Sequence, residues 1–178
     1  MKVLKIILII LLVLIAIPLV MAVFIQKDYF VEREITINKP HEEVYNYLSM
    51  LKNQDNFSSW SLKDPTMKKT YTGSDGQVGF IAGWESENPD AGVGEQEIIG
   101  IDQGKRIDYA LRFKEPFEAS DLAYMEFEEV NSNQTKVIWG FEGHMDYPMN
   151  AMLAFMDMES LIGNDFEEGL QRLKEILE

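Results

Sequence analysis

Residues 148–178 read PMNAMLAFMDMESLIGNDFEEGLQRLKEILE, and the reading of this closing stretch decides the architecture. Met152, Phe155, Met156, Ile162, Phe166, Leu170, Leu173 and Leu177 recur at spacings of three and four, with Glu159 filling one step of the series. That spacing predicts one long helix opened by Pro148, with an apolar stripe along one side. The stripe needs a partner surface, and a sheet is the simplest one. Gly163 and Gly169 each cost about 1 kcal/mol relative to alanine inside a helix, which points to close packing at both positions.

Upstream, residues 66–145 change to period two and supply that sheet. Turns rich in Gly and Asn at 73–76, 88–92, 102–104 and 131–133 separate strands expected near 66–73, 78–86, 93–102, 105–113, 119–130 and 135–145. Short strands at this spacing imply an antiparallel meander. Before it, Tyr29, Val31, Arg33, Ile35 and Ile37 alternate with Phe30, Glu32, Glu34 and Thr36 in a further strand, stopped by Asn38-Lys39-Pro40. A helix is expected over 40–51, with Glu42 and Glu43 near its positive N-terminal end and Val44, Tyr47, Leu48 and Leu51 on one face. A second short helical turn is expected over 53–57. The class is α+β.

Residues 6–25 form a run of twenty without a charge, with Lys2 and Lys5 in front and Lys27 and Asp28 behind. At about 1.5 Å per residue such a helix spans a hydrocarbon layer of about 30 Å. The expectation is a single-pass anchor over 1–27 carrying a domain over 28–178, with the N-terminus inside and the domain exported. Lys27, Arg33 and Lys39 on the far flank weaken the charge asymmetry that sets orientation. The competing reading is a cleaved signal and a secreted protein, because Pro18 interrupts the run and Val20-Met21-Ala22 resembles a small-residue cleavage site. The apolar stretch is longer than a signal core and continues past that site.

The formal charge is −14, and setting Lys2 and Lys5 apart leaves −16 on the remainder. An acidic field of this size disfavours nucleic acid and basic-patch docking on anionic headgroups, and it serves solubility. Without cysteine there is no disulfide, thiolate metal site or cysteine nucleophile. Two histidines with no recognisable carboxylate spacing give no metal site, and no cofactor is expected. A nucleophile elbow, a phosphate loop and a dinucleotide fingerprint are all missing from the sequence.

The order of strand, short helices, meander and long helix is joined by the strings Ile35-Thr36-Ile37-Asn38-Lys39-Pro40, Lys105-Arg106-Ile107-Asp108-Tyr109 and Asp165-Phe166-Glu167-Glu168-Gly169-Leu170. Over residues 28–178 the chain resembles the SRPBCC superfamily, the START-like or Bet v 1-like helix-grip fold. Within it, the chain resembles the polyketide cyclase/dehydrase and lipid transport family. Residues 143–150 also resemble its membrane-anchored bacterial members. The resemblance implies a seven-stranded sheet gripping the C-terminal helix around a cavity for an apolar small molecule, and it does not imply cyclase activity.

The residues suggest the cavity walls. Ile107, Tyr109, Leu111 and Phe113 share one sheet face, as do Val137, Trp139, Phe141 and Met145. Facing them would stand Met149, Met152, Phe155 and Met156, in a methionine-rich segment of the flexible, polarisable kind that suits apolar binding. Trp60 and Trp84 would add to the mouth or floor, with indole N–H groups free to orient a polar ligand end. The plainer reading of each of these residues is ordinary core. Glu142 and His144 could form a base and its orienting partner, but alternation turns them outward. Glu97, Asp108 and Arg112 could place charge in the cavity, though Asp108 and Arg112 lie opposite Tyr109. No catalytic residue is assigned. The expected function is binding of an apolar or lipid-like molecule. The alternatives are a small cyclase- or dehydrase-like enzyme using the same cavity, and an interaction module with a filled core.

Overall fold

The computed structural model describes residues 2–178. Seven antiparallel strands run in the spatial order β1-β7-β6-β5-β4-β3-β2. They are β1 (Asp28–Ile37), β2 (Lys68–Thr72), β3 (Ile81–Glu85), β4 (Val93–Asp102), β5 (Arg106–Glu115), β6 (Ala119–Asn131) and β7 (Gln134–His144). Apart from β1, which pairs with the last strand, each strand lies beside its neighbour in sequence, as the meander predicts. The fold is the expected α+β arrangement, with a long C-terminal helix against the sheet and an apolar helix in front.

Helix α1 (Lys2–Phe24) is unbroken by Pro18 and is long and apolar enough to cross a bilayer. Helix α2 (His41–Leu48) starts after Pro40 and buries Val44, Tyr45 and Leu48. A 3₁₀ turn (Leu51–Asn56) and a short helix α3 (Ser59–Leu62) complete the crossover to β2.

The closing helix differs from the expectation. It does not begin at Pro148: residues Met149–Ala154 form a separate 3₁₀ turn, and α4 covers Met158–Leu177. Two hydrogen-bond sets explain the break. Asp157 caps α4, its carboxylate accepting from the Ser160 N–H at 3.1 Å and from the Ser160 hydroxyl at 2.7 Å. Asn150, fully buried, donates its amide to the carbonyls of Ala22 at 2.7 Å and Ile25 at 2.9 Å. The 3₁₀ turn therefore belongs to the end of α1, satisfying carbonyls that a helix terminus leaves without partners.

The sheet has two unlike ends. At the end holding Ile37, the β6–β7 turn and α2, side chains fill the interior: Ile37, Val44, Leu48, Ile98, Ile107, Met125, Val137 and Leu173 are fully buried. The C-terminus of α4 is tied there, with the Lys174 ammonium donating to the Thr36 carbonyl at 2.8 Å and the Asn38 N–H to Glu178 at 2.6 Å. The other end holds Asp28, His144 and the close of α1. Gly163 and Gly169 have the packing reason the sequence suggests. A Cβ at 163 would meet the Arg33 guanidinium, and one at 169 would lie 3.0 Å from the Trp139 ring and 3.3 Å from the Phe57 carbonyl.

Replacing Asn150 with alanine strips both carbonyls of their donor in a buried setting, a loss of about 1–3 kcal/mol. The expected outcome for Asn150→Ala in detergent is a lower unfolding temperature and faster tryptic cleavage after Lys27. An unchanged cleavage rate would show that the side chain does not hold the junction.

Candidate functional site

On β6 the inward side chains become small toward the α1 end. Ala119 and Ala123 stand where Met125 and Phe127 stand further along the same face, and β3 adds the small Ala82. The space they leave is a cavity of about 390 Å³, within the range of about 300–1,000 Å³ usual for small-molecule sites. The sheet contributes Tyr29, Trp84, Gln96, Leu111, Phe113, Asp121, Trp139 and Phe141 to its walls. Met158, Ile162 and Phe166 of α4 close one side, and Gln54, Asp55 and Ser58 to Ser61 of the crossover close another. The β5–β6 loop, with Pro116 and Phe117, borders it at the α1 end.

Aromatic contacts hold this shape. Phe113 lies between the two indoles, its centroid 5.9 Å from each of Trp60 and Trp84 in edge-on geometry. Trp139 stacks on Phe166 at 4.3 Å and 9°, joining β7 to α4. Gly94 makes room for the Trp84 ring, which a Cβ there would meet at 2.5 Å.

Six of the twelve residues the sequence marks as walls line the cavity: Trp60, Trp84, Leu111, Phe113, Trp139 and Phe141. Tyr109 does not. It is fully buried in the filled half of the core, deeper than Leu111, and burial raises its pKa. Met145, Met149, Met152, Phe155 and Met156 also lie outside, because the break before α4 carries their segment to the end of α1. Met149, Met152, Phe155 and Met156 are exposed there. The two indole N–H groups differ. Trp84 Nε1 donates to the Ala91 carbonyl at 3.1 Å and is occupied, whereas Trp60 Nε1 is buried without a partner.

Every ionisable group singled out from the sequence is on the outer face. Arg112 pairs with Glu95 and Glu97, Asp108 pairs with Arg106, and His144 pairs with Asp28 at 2.6 Å; Glu142 is exposed. The cavity's own titratable groups went unmarked. Asp121 is 7% exposed, and its carboxylate accepts from the His144 backbone N–H at 3.0 Å. Desolvation pushes its pKa up, against the pull of that hydrogen bond and of the His144 charge. Tyr29, packed on Phe141 and over Gly143, is pushed up to about 12 by burial and by the Asp121 charge. On the opposite wall Asp55 pairs with Lys69 at 2.6 Å and accepts from the Tyr71 hydroxyl at 2.5 Å. The alternation Ala119, Asp121, Ala123, Met125, Phe127 carries the signal for Asp121, a carboxylate on an otherwise apolar face. No group of metal-ligating side chains occurs among the described residues.

A curved antiparallel sheet gripping a C-terminal helix around an apolar cavity defines the helix-grip class of small-molecule-binding folds. The chain belongs to the polyketide cyclase / dehydrase and lipid transport family, whose model matches residues 30–178. A Nitrosospira multiformis protein is similar in structure, at 16% identity and a TM-score of 0.58, over 84% of this chain and 97% of that one. A Thermobifida fusca protein matches at 18% identity and a TM-score of 0.56, over 83% and 92%. Norcoclaurine synthase from Thalictrum flavum, solved with dopamine and hydroxybenzaldehyde, matches at 9% identity and a TM-score of 0.61, over 84% and 86%. At these identities the likeness is one of fold. No curated protein matches the sequence significantly.

The raised pKa of Asp121 has a pH signature. Burial disfavours its ionised form, so the folded protein takes up this proton more readily than the unfolded chain does. The cost is present at pH values above the folded pKa, and it disappears as the pH falls below the unfolded carboxylate range. Asp121→Asn keeps an oxygen acceptor for the His144 N–H and removes the charge. The variant is expected to melt above the parent at pH 7, with the gap closing on acidification. A variant that melts lower at pH 7 would mean that the hydrogen bond to the charge outweighs desolvation.

Proposed function

We propose that this chain is a membrane-anchored binding protein that holds an apolar or lipid-like small molecule between the sheet and α4. The observation that carries the reading is the aromatic-walled cavity of about 390 Å³, left open in a core that is otherwise filled. Trp60, Trp84, Leu111, Phe113, Trp139 and Phe141 would contact the ligand. In this reading α1 spans the bilayer with Lys2 and Lys5 inside and the domain exported. Retention of α1 is supported by Ala22, which is 2% exposed and has its carbonyl bound by Asn150, at the position where a signal peptidase would have to cut. Purified full-length protein released into native mass spectrometry is expected to carry an extractable apolar molecule. Phe113→Asp would abolish that adduct. An adduct-free parent that also fails to take up long-chain fatty alcohols or sterols would end this reading.

A second reading, proton-transfer chemistry in the same cavity, is favoured by one observation: Asp121 and Tyr29 are ionisable groups on the cavity wall. A carboxyl with a raised pKa in an apolar site suits a general acid or base. If so, Asp121→Asn removes turnover of cyclisable polyketone probes while leaving their binding intact.

A further inference from the structure

The cavity, the end of α1 and a run of exposed apolar side chains share one end of the sheet. Strand pairing sets the location. Asp28 lies opposite His144, and the His144 N–H reaches Asp121 near the start of β6, where Ala119 pairs with Phe113. The β5–β6 loop is therefore at the end where α1 terminates, and its Phe117 borders the cavity while being 68% exposed. The 3₁₀ turn clamped to α1 by Asn150 presents Met149 and Met152, followed by Phe155, 79% exposed, and Met156. Two residues later Met158 opens α4 and lines the cavity. An apolar rim thus runs from the foot of α1 to the cavity.

Resting on the reading of α1 as a membrane anchor, we infer that Phe117, Met149, Met152, Phe155 and Met156 form a collar immersed in the bilayer interface, so that the cavity opens directly into lipid. The occupant is the boundary of hydrocarbon and headgroup. Two features favour it over any other partner. The collar is continuous with α1, whose last turn is hydrogen-bonded to the same segment, so insertion of α1 carries the collar to the membrane surface. The collar's flanking charges are Asp28, Glu118, Asp146, Asp157 and Glu159 against Lys27, which pairs with Asp146, and Arg33, which pairs with Glu159; the set is net acidic and attracts no anionic headgroup. Burial of Met and Phe is then the attractive term, and a ligand passes between bilayer and cavity without crossing water.

The chain contains no cysteine, so single-cysteine reporters can be placed without altering a native thiol. Full-length protein carrying Phe155→Cys, Phe117→Cys, Asn133→Cys or Val13→Cys is labelled with an environment-sensitive fluorophore and reconstituted into phosphatidylcholine vesicles containing nitroxide lipids. Asn133, in the β6–β7 turn at the far end of the sheet, is the reference, and Val13 reports insertion of α1. Labels at 155 and 117 are expected to be quenched by about twofold or more relative to 133, without any need for phosphatidylserine. Quenching at 13 with none at 155 and 117 overturns the collar and leaves the anchor standing. No quenching at 13 overturns the anchor and the collar together. Quenching at 155 that appears only with phosphatidylserine shows an electrostatic surface and overturns the apolar collar.

Discussion

One helix has to cover seven strands. Strands stand about 4.8 Å apart, so the sheet is about 30 Å wide, whereas a helix with its side chains is about 10 Å across. A flat sheet of this composition would leave most of one apolar face in water. Curling brings β1 along α4, with Trp139 of β7 reaching Phe166, while α2 packs on β6 and β7 and the 3₁₀ turn and α3 reach β2 and β5 through Asp55–Lys69 and Trp60–Phe113. Trp139 stacked on Phe166 at 4.3 Å marks the axis of this grip. A single helix inside so wide a curl cannot fill it, and the content of the remaining space is settled by side-chain size.

That size changes along β6. Toward the C-terminus of α4 the interior is occupied by Ile37, Leu48, Ile98, Ile107, Met125 and Leu173, none of them more than 0% exposed. Toward the N-terminus of α4 the wall contains Ala82, Ala119 and Ala123, and the volume stays open. Stability and cavity therefore occupy different halves of one core. The filled half, tied by Lys174 and Glu178 to the backbone of Thr36 and Asn38, can hold the fold while the other half exchanges its contents.

Most of the fold was legible in the sequence because period-two alternation and Gly/Asn turns are local signals. All six meander strands lie within a few residues of their expected places, and β1 buries Val31 and Ile37 as its alternation requires. The helix start was misplaced, since the apolar spacing of Met152, Phe155 and Met156 runs on across Asp157-Met158-Glu159-Ser160, where a side-chain cap ends one element and opens another. The role of Asn150 had no local signal, because its partners lie more than 120 residues away. The sheet half of the cavity wall followed from alternation. The α4 half did not, because moving the helix start exchanged Met149 and Met152 for Ile162 and Phe166. Asp121 was readable as a carboxylate on an apolar face, but a strand pattern alone does not separate a buried acid from a frayed strand end.

Trp60 Nε1 is a buried donor with nothing to donate to. An unpaired buried donor costs about 1–3 kcal/mol. The indole is therefore held by packing, edge-on to Phe113 at 5.9 Å and beneath the Lys63 ammonium at 4.6 Å, and by no hydrogen bond. A ring held in this way can turn without breaking one, which leaves this wall of the cavity free to follow the shape of its contents.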